Sequence, residues 1–219
     1  MKKPVIPTEV CYLLAVPLMS LGIALTEKSD LGMSMISAPA YLISLKTTLT
    51  FGTAEYCFQA LLLAGMCLLI RRWRWTYLLS FVTAFIYGSL LDGFVLLLEG
   101  LPTALGWRIL WFILGMGTIS LSVSLFFRTY IPPAVYELFV SQVTDRLRLP
   151  VSRFKIAFDC SFLVLSAALS LLLFRGLRGI GVGTVIAAVG NGLLIGLLTK
   201  WEDRCFTFRD RFPWRDKLI

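Results

Sequence analysis

A lysine and an aspartate four residues apart, Lys155 and Asp159, sit in the run VSRFKIAFDCSFLVLSAALSLLLF at residues 151–174. At helical spacing the two side chains share a face, which Ser166 and Ser170 extend. The run is long and apolar enough to cross a bilayer, and a charge at the centre of a membrane helix costs about 2.5–3.5 kcal/mol on insertion scales. Residues so placed face a protein interior or a water-filled cavity. Asp159 is therefore a candidate substrate or ion ligand, or else one half of an ion pair with Lys155 that lowers the cost of burying both. Lys155, nearer the end of its helix, could instead snorkel to the surface.

Other polar residues raise the same question. Asp92, in YGSLLDGF, has no opposite charge within reach on its own helix. It must be partnered by another helix, hydrated or protonated, which makes it a candidate proton or cation site or an interhelical hydrogen-bonding group. Glu55 lies just inside the start of its helix, where a carboxylate complements the helix dipole, and Gln59 follows one turn later. Asn191, between Gly190 and Gly192, can bridge closely approaching helices or bind a solute.

The residue inventory argues against catalysis. There is no histidine, no C-x-x-C, no G-x-S-x-G elbow and no H-E-x-x-H, and the five cysteines are scattered. No enzyme activity, metal or cofactor is expected. The glycines at 179, 181 and 183 are spaced partly like a dinucleotide loop, but they lack the full spacing and a preceding strand. A tight-packing or flexible entry to the next helix is the plainer expectation.

The elements that must position these groups follow from composition. Of 219 residues 58% are hydrophobic, well above the roughly 45–50% of soluble domains. Six segments, about 9–26, 53–70, 75–98, 107–127, 153–174 and 180–200, can span a bilayer at about 1.5 Å per residue. The stretches 31–49 and 131–149 carry internal or leading prolines and are too polar or short to cross, so each is amphipathic and interfacial, or re-entrant. The formal net charge of +8 comes from clusters flanking apolar runs, as topology requires, and not from a nucleic-acid surface. The first apolar run is read as an uncleaved helix. With the N-terminus inside, Lys and Arg favour that side by about three to one, so both termini are expected in the cytoplasm.

Sliding the second half over the first by about 100 residues brings Glu55 onto Lys155 and Gln59 onto Asp159; a shift of about 103 brings Val82, Thr83 and Ala84 onto Val185, Ile186 and Ala187. Each unit reads as helix, short segment, helix, helix. Three crossings per unit invert the second relative to the first, the plan of many secondary transporters. The expected organisation is a first repeat at 1–104, a second at 105–200 and a basic cytoplasmic tail at 201–219. Glu55, Gln59 and Asp92 then fall in the outer half of the membrane, Lys155 and Asp159 in the inner half, and Asn191 near the middle.

Leu31 and Gly32, the segment Tyr87 to Asp92, the segment Phe154 to Asp159, and the run from Gly179 to Thr184 resemble the YczE/YyaS/YitT-like group of small bacterial integral membrane proteins. The likeness spans nearly all the membrane part, although Met33, Ser34 and Met35 replace the small residue and early proline of that group. It implies a multi-pass protein of the bacterial plasma membrane, with transport as the conjectured role.

The expected protein is thus an all-α polytopic bundle of six transmembrane helices and two short segments. Its leading functional reading is a small secondary transporter or exporter of a small solute or ion. A substrate-capture subunit of an ATP-driven importer and a non-transporting accessory or assembly factor stay open, as does association with a second copy or partner subunit. The bilayer is the one partner that composition requires, and nucleic acid is not among them.

Overall fold

The computed structural model describes residues 3–71, 75–132, 134–149, 151–176 and 178–212, except the side chains of 75, 76, 151–153 and 155. Among these lie eight helices, α1 (Thr8–Ser29), α2 (Ala38–Lys46), α3 (Phe51–Ile70), α4 (Trp75–Leu98), α5 (Leu105–Phe126), α6 (Val135–Leu147), α7 (Val151–Phe174) and α8 (Val182–Cys205). The six longer ones are long and apolar enough to cross a membrane. Their outward faces carry leucines such as Leu61, Leu68, Leu96, Leu172 and Leu193, each more than 60% exposed. A face so apolar belongs in lipid.

Both ends of the chain meet on one face. Strand β1 (Val5–Pro7) pairs in parallel with β2 (Thr207–Arg209), and Glu9 accepts hydrogen bonds from the Arg211 and Phe212 amides and from the Tyr130 hydroxyl at 2.9 Å. Burial and the neighbouring Glu9 carboxylate push the Tyr130 hydroxyl up to about 12, so it remains a donor at physiological pH. On the same face Arg128 pairs with Asp203 at 2.8 Å and Glu202 at 3.4 Å, and Ser124 donates to Glu202 at 2.5 Å. These bonds extend α8 to Cys205, five residues past the span expected from sequence.

The centre of the bundle is the crossing of α1 with α5. A Cβ on Gly22 would lie 2.7 Å from the Ile119 side chain, and one on Gly115 would lie 2.8 Å from the Gly22 carbonyl. Helix α4 packs on α1, α8 on α5 and α3 on α4, while α2 and α6 each touch both α3 and α7. The α3–α4 crossing is closer still. A Cβ on Gly52 would overlap the Gly88 carbonyl.

The two short helices are re-entrant. Their first residues, Ala38 and Val135, are fully buried. The Val135 N–H donates to Gln59 midway along α3, and the Pro132 carbonyl lies 3.4 Å from the Thr83 hydroxyl on α4. From there α6 returns toward the face bearing the termini, where Tyr77 donates to Gln142. Helix α2 returns to the opposite face, with Tyr41 against Phe51 and Lys46 over the Phe174 ring.

At that opposite face the glycine run forms a packed backbone clasp. Met33 N–H donates to the Gly179 carbonyl at 2.8 Å, and Gly183 N–H to the Leu31 carbonyl at 2.9 Å. Gly32 has φ +134°, which L side chains rarely adopt, and a Cβ there would lie 2.6 Å from Thr184 Oγ1. Arg108 closes the same end by donating to the Ser29 and Asp30 carbonyls and pairing with the Asp30 carboxylate at 2.9 Å.

The Gly52–Gly88 crossing predicts a contrast between two helical glycines. Gly52→Ala is expected to destabilise the protein by roughly 1–3 kcal/mol, seen as a lower melting temperature in detergent. Gly65→Ala, with nothing within 4 Å of a new Cβ, is expected to be neutral or stabilising by up to about 1 kcal/mol.

Candidate functional site

The inner ends of α2 and α6 open onto two adjoining chambers. The smaller, about 60 Å³, is lined by Glu55 and Gln59 of α3, Tyr87 of α4, Tyr136 and Glu137 of α6, and Ser37. The larger, about 340 Å³, holds Glu137, Asp159 of α7 and Asn191 of α8 among mostly apolar walls. Met19, Ser34, Ile36, Ile119 and Glu137 belong to both linings.

Glu55 and Gln59 are 1% and 0% exposed. Tyr136 donates to Glu55 Oε1 at 3.1 Å, and Val135 N–H to Gln59 Oε1 at 3.1 Å. That second bond orients the amide: with its oxygen held by Val135, its NH₂ must turn away from the helix end. Gln59 Nε2 lies near Glu55 and the Tyr87 hydroxyl near Ser37, yet Nε2, Glu55 Oε2 and the Tyr87 hydroxyl have no hydrogen bond of normal geometry. Three polar atoms are thus buried without a well-formed hydrogen bond to protein, each at a cost of up to about 3 kcal/mol.

Among the described residues no Lys or Arg lines either chamber. The positive potential there comes from the N-termini of α2 and α6, worth about half an elementary charge each. No group of three or more His, Cys, Asp or Glu able to hold a metal ion occurs among the described residues. The chemistry available is hydrogen bonding, proton exchange at carboxyl groups and attraction of positive charge.

Four of the six residues singled out from sequence reach this place: Glu55 and Gln59 in the smaller chamber, Asp159 and Asn191 in the larger. Asn191 also accepts from Ser120 at 3.2 Å. Glu55 does not complement the start of its helix as expected. It sits on the second turn, and the N-terminal donors of α3 are taken by the Thr50 hydroxyl and by Asp92.

Asp92 lies apart from the chambers. It accepts from Thr50 Oγ1 at 2.5 Å and from the Gly52 N–H at 2.6 Å, capping α3 from the neighbouring helix at the glycine crossing. The Lys155 side chain lies outside the described residues, and so does its expected pairing with Asp159. Sequence reasoning missed Glu137, Tyr136, Tyr87, Ser34 and Ser37. Pro132 and Pro133 just ahead of Glu137 were the available signal, since they mark a helix start and therefore a buried positive end once the segment is re-entrant.

The fold and its internal polar chambers define a multi-pass α-helical membrane protein. Residues 6–200 match the model of a family described as Family of unknown function (DUF6198), and the chain belongs to that family. It is similar to Uncharacterized protein YyaS of Bacillus subtilis (strain 168), with 27% identity over 206 residues covering 91% of this chain and 96% of that relative. The likeness to the YyaS group expected from the motifs is thereby established. No solved structure matches.

Because Asp92 holds two donors at the start of α3, Asp92→Ala is expected to destabilise the protein by about 1–3 kcal/mol, with Asp92→Asn milder. Thermal unfolding in detergent checks both. An Asp92→Ala melting curve that coincides with wild type would contradict the capping role.

Proposed function

We propose that the protein is a small secondary transporter that moves a small solute across the bacterial plasma membrane by alternating access, with both termini cytoplasmic. The observation that carries this reading is the buried, unsatisfied set of Glu55 Oε2, Gln59 Nε2 and Tyr87 hydroxyl at the meeting point of two re-entrant helix ends. Discontinuous helices that aim their N-termini at mid-membrane sites are the means by which many transporters hold solutes.

The order of packing supports an inverted repeat of residues 1–104 and 105–200. Exchanging α1 with α5, α2 with α6, α3 with α7 and α4 with α8 maps the α1–α4 contact onto α5–α8, α3–α6 onto α7–α2, and α2–α3 onto α6–α7. The α1–α5 crossing maps onto itself. Two pairs break the rule: α4 packs tightly on α3 and touches α6, whereas α8 shows no comparable packing on α7 or α2 among the described residues. The larger chamber takes residues from both α7 and α8. In an alternating-access protein, two halves of one plan held in different states produce such an asymmetry. The positive-inside bias supports the orientation. No catalytic step is assigned to these residues.

Ser34 lines both chambers, so its accessibility tests the proposal without knowledge of the solute. A Ser34→Cys variant lacking the five native cysteines is expected to react with a membrane-impermeant methanethiosulfonate from either face of oriented vesicles. Reaction from the external face alone would favour a capture subunit. Reaction from one face only, or from neither, overturns alternating access.

A further inference from the structure

We propose that the larger chamber opens sideways into the bilayer between α7 and α8, and that its solute is a bilayer-partitioned amphiphile, an apolar body with one hydrogen-bonding head. The fate of that solute rests on the transporter reading; the site itself rests on packing. Thr184, Ala187 and Asn191 line the chamber from the inner side of α8, where Thr184 and Ala187 are buried and Asn191 accepts from Ser120 of α5. The lining then continues round the helix to Ala188 and Gly192. At helical spacing those two share a face with Val185, Val189 and Gly196. On that face Val185 and Val189 are 67% and 66% exposed, Ala188 and Gly192 are exposed as well, and a Cβ on Gly192 would meet nothing within 4 Å. Residues that line a chamber and face outward at once mark its mouth.

Helix α7 forms the other side of that mouth. It contributes Asp159 to the chamber and packs on α2 and α6, whereas α8 packs on α5. Both helices turn apolar side chains outward, Val164 and Leu172 on α7, Val189 and Leu193 on α8, so hydrocarbon lies outside the opening. The interior suits what hydrocarbon can deliver. At about 340 Å³ the chamber is within the 300–1,000 Å³ of small-molecule sites, and Met19, Ile119, Val123 and Ile195 give it apolar walls. Its hydrogen-bonding groups are few: Ser34, Thr184 and Asn191 beside the carboxyl groups of Glu137 and Asp159. Ser120 holds the Asn191 oxygen at 3.2 Å, which makes the NH₂ of that amide its donor. Each polar group carried into hydrocarbon without a hydrogen bond costs about 2–7 kcal/mol, so a many-hydroxyl solute or a hydrated ion is barred from this route. An amphiphile enters with its body already out of water and brings a single head to the polar groups.

The test uses the full chain in lipid nanodiscs with a diazirine-bearing octanol as photolabel, its adducts located by peptide mass spectrometry. Adducts are expected on the inner walls, at Ile36, Ile119 and Val123, and are expected to be lost with excess octanol but not with glycerol. Ala188→Trp and Gly192→Trp, at the mouth, are expected to lose them, whereas Gly196→Trp, on the same face but outside the chamber, is expected to keep them. All three positions are exposed, and circular dichroism with monodispersity checks that each variant is folded. Absence of inner-wall adducts, adducts indifferent to octanol, displacement by glycerol, or full labelling in both mouth variants each overturns the inference. So does a disulfide-linked pair formed by Gly192→Cys in the cysteine-free background, which places a second copy over the mouth. The two readings fail separately. Saturable inner-wall labelling without two-face reactivity of Ser34→Cys sinks the transporter and leaves the lateral site; two-face reactivity without such labelling leaves a transporter whose solute arrives through water.

Discussion

The backbone N–H of Val135 has one acceptor, the side chain of Gln59, and the interior of the molecule is arranged around that bond. Non-helical backbone at membrane depth is tolerated only where protein or a water-filled cavity satisfies its polar groups. A helix that starts inside the bundle brings several unpaired N–H groups to that depth. Gln59 quenches one of them and in doing so turns its own NH₂ into the smaller chamber. Structural necessity at the start of α6 thereby creates an unsatisfied donor beside Glu55, and the polarity of the site is inherited from the way the short helix begins.

Such an interior requires walls that hold without a hydrophobic drive. Helices in lipid associate through close packing and interhelical hydrogen bonds, because acyl chains are as apolar as leucine. Gly22 against Gly115 and Gly52 against Gly88 bring backbones together. Ser20 donating to the Tyr87 carbonyl, and Ser122 to the Ala15 carbonyl, add specific links. The ends are tied separately: the Arg108–Asp30 pair and the Leu31–Gly183 clasp secure one face, and the Arg128 cluster with the β1–β2 ladder secures the other.

The spans were readable from sequence because lipid imposes a length and a polarity that local composition must meet. The placement of α2 and α6 was not, since the same amphipathic pattern suits a helix lying on the membrane and one dipping into it; tertiary contacts such as Val135 with Gln59 decide between them. Asp92 took the second of its two expected roles, an interhelical hydrogen bond, and Glu55 departed from its expected one for a related reason. Both are acids on apolar helices, and only the Gly52–Gly88 crossing reveals that Asp92 caps α3 from outside, leaving Glu55 free to face inward. Glu137 lay hidden in a segment read as amphipathic, where an acid is unremarkable until the helix start is known to be buried.

Whether Glu55 serves structure or function turns on magnitudes. Its bond from Tyr136 contributes about 1 kcal/mol net, or up to about 3 if the carboxyl is ionised, whereas burying its second oxygen, the Gln59 amide and the Tyr87 hydroxyl without a well-formed hydrogen bond costs up to about 3 kcal/mol apiece. A leucine or methionine in place of Glu55 would fill the space and remove the largest of those penalties. A fold with some 5–15 kcal/mol of stability gives up a large fraction of its margin to keep this arrangement. Structural need accounts for Gln59, which must serve the α6 N-terminus, but not for an acid beside it. A rearrangement that brings a partner to each of the three groups would recover that deficit, and it is this that favours a functional over a structural reading of the chamber.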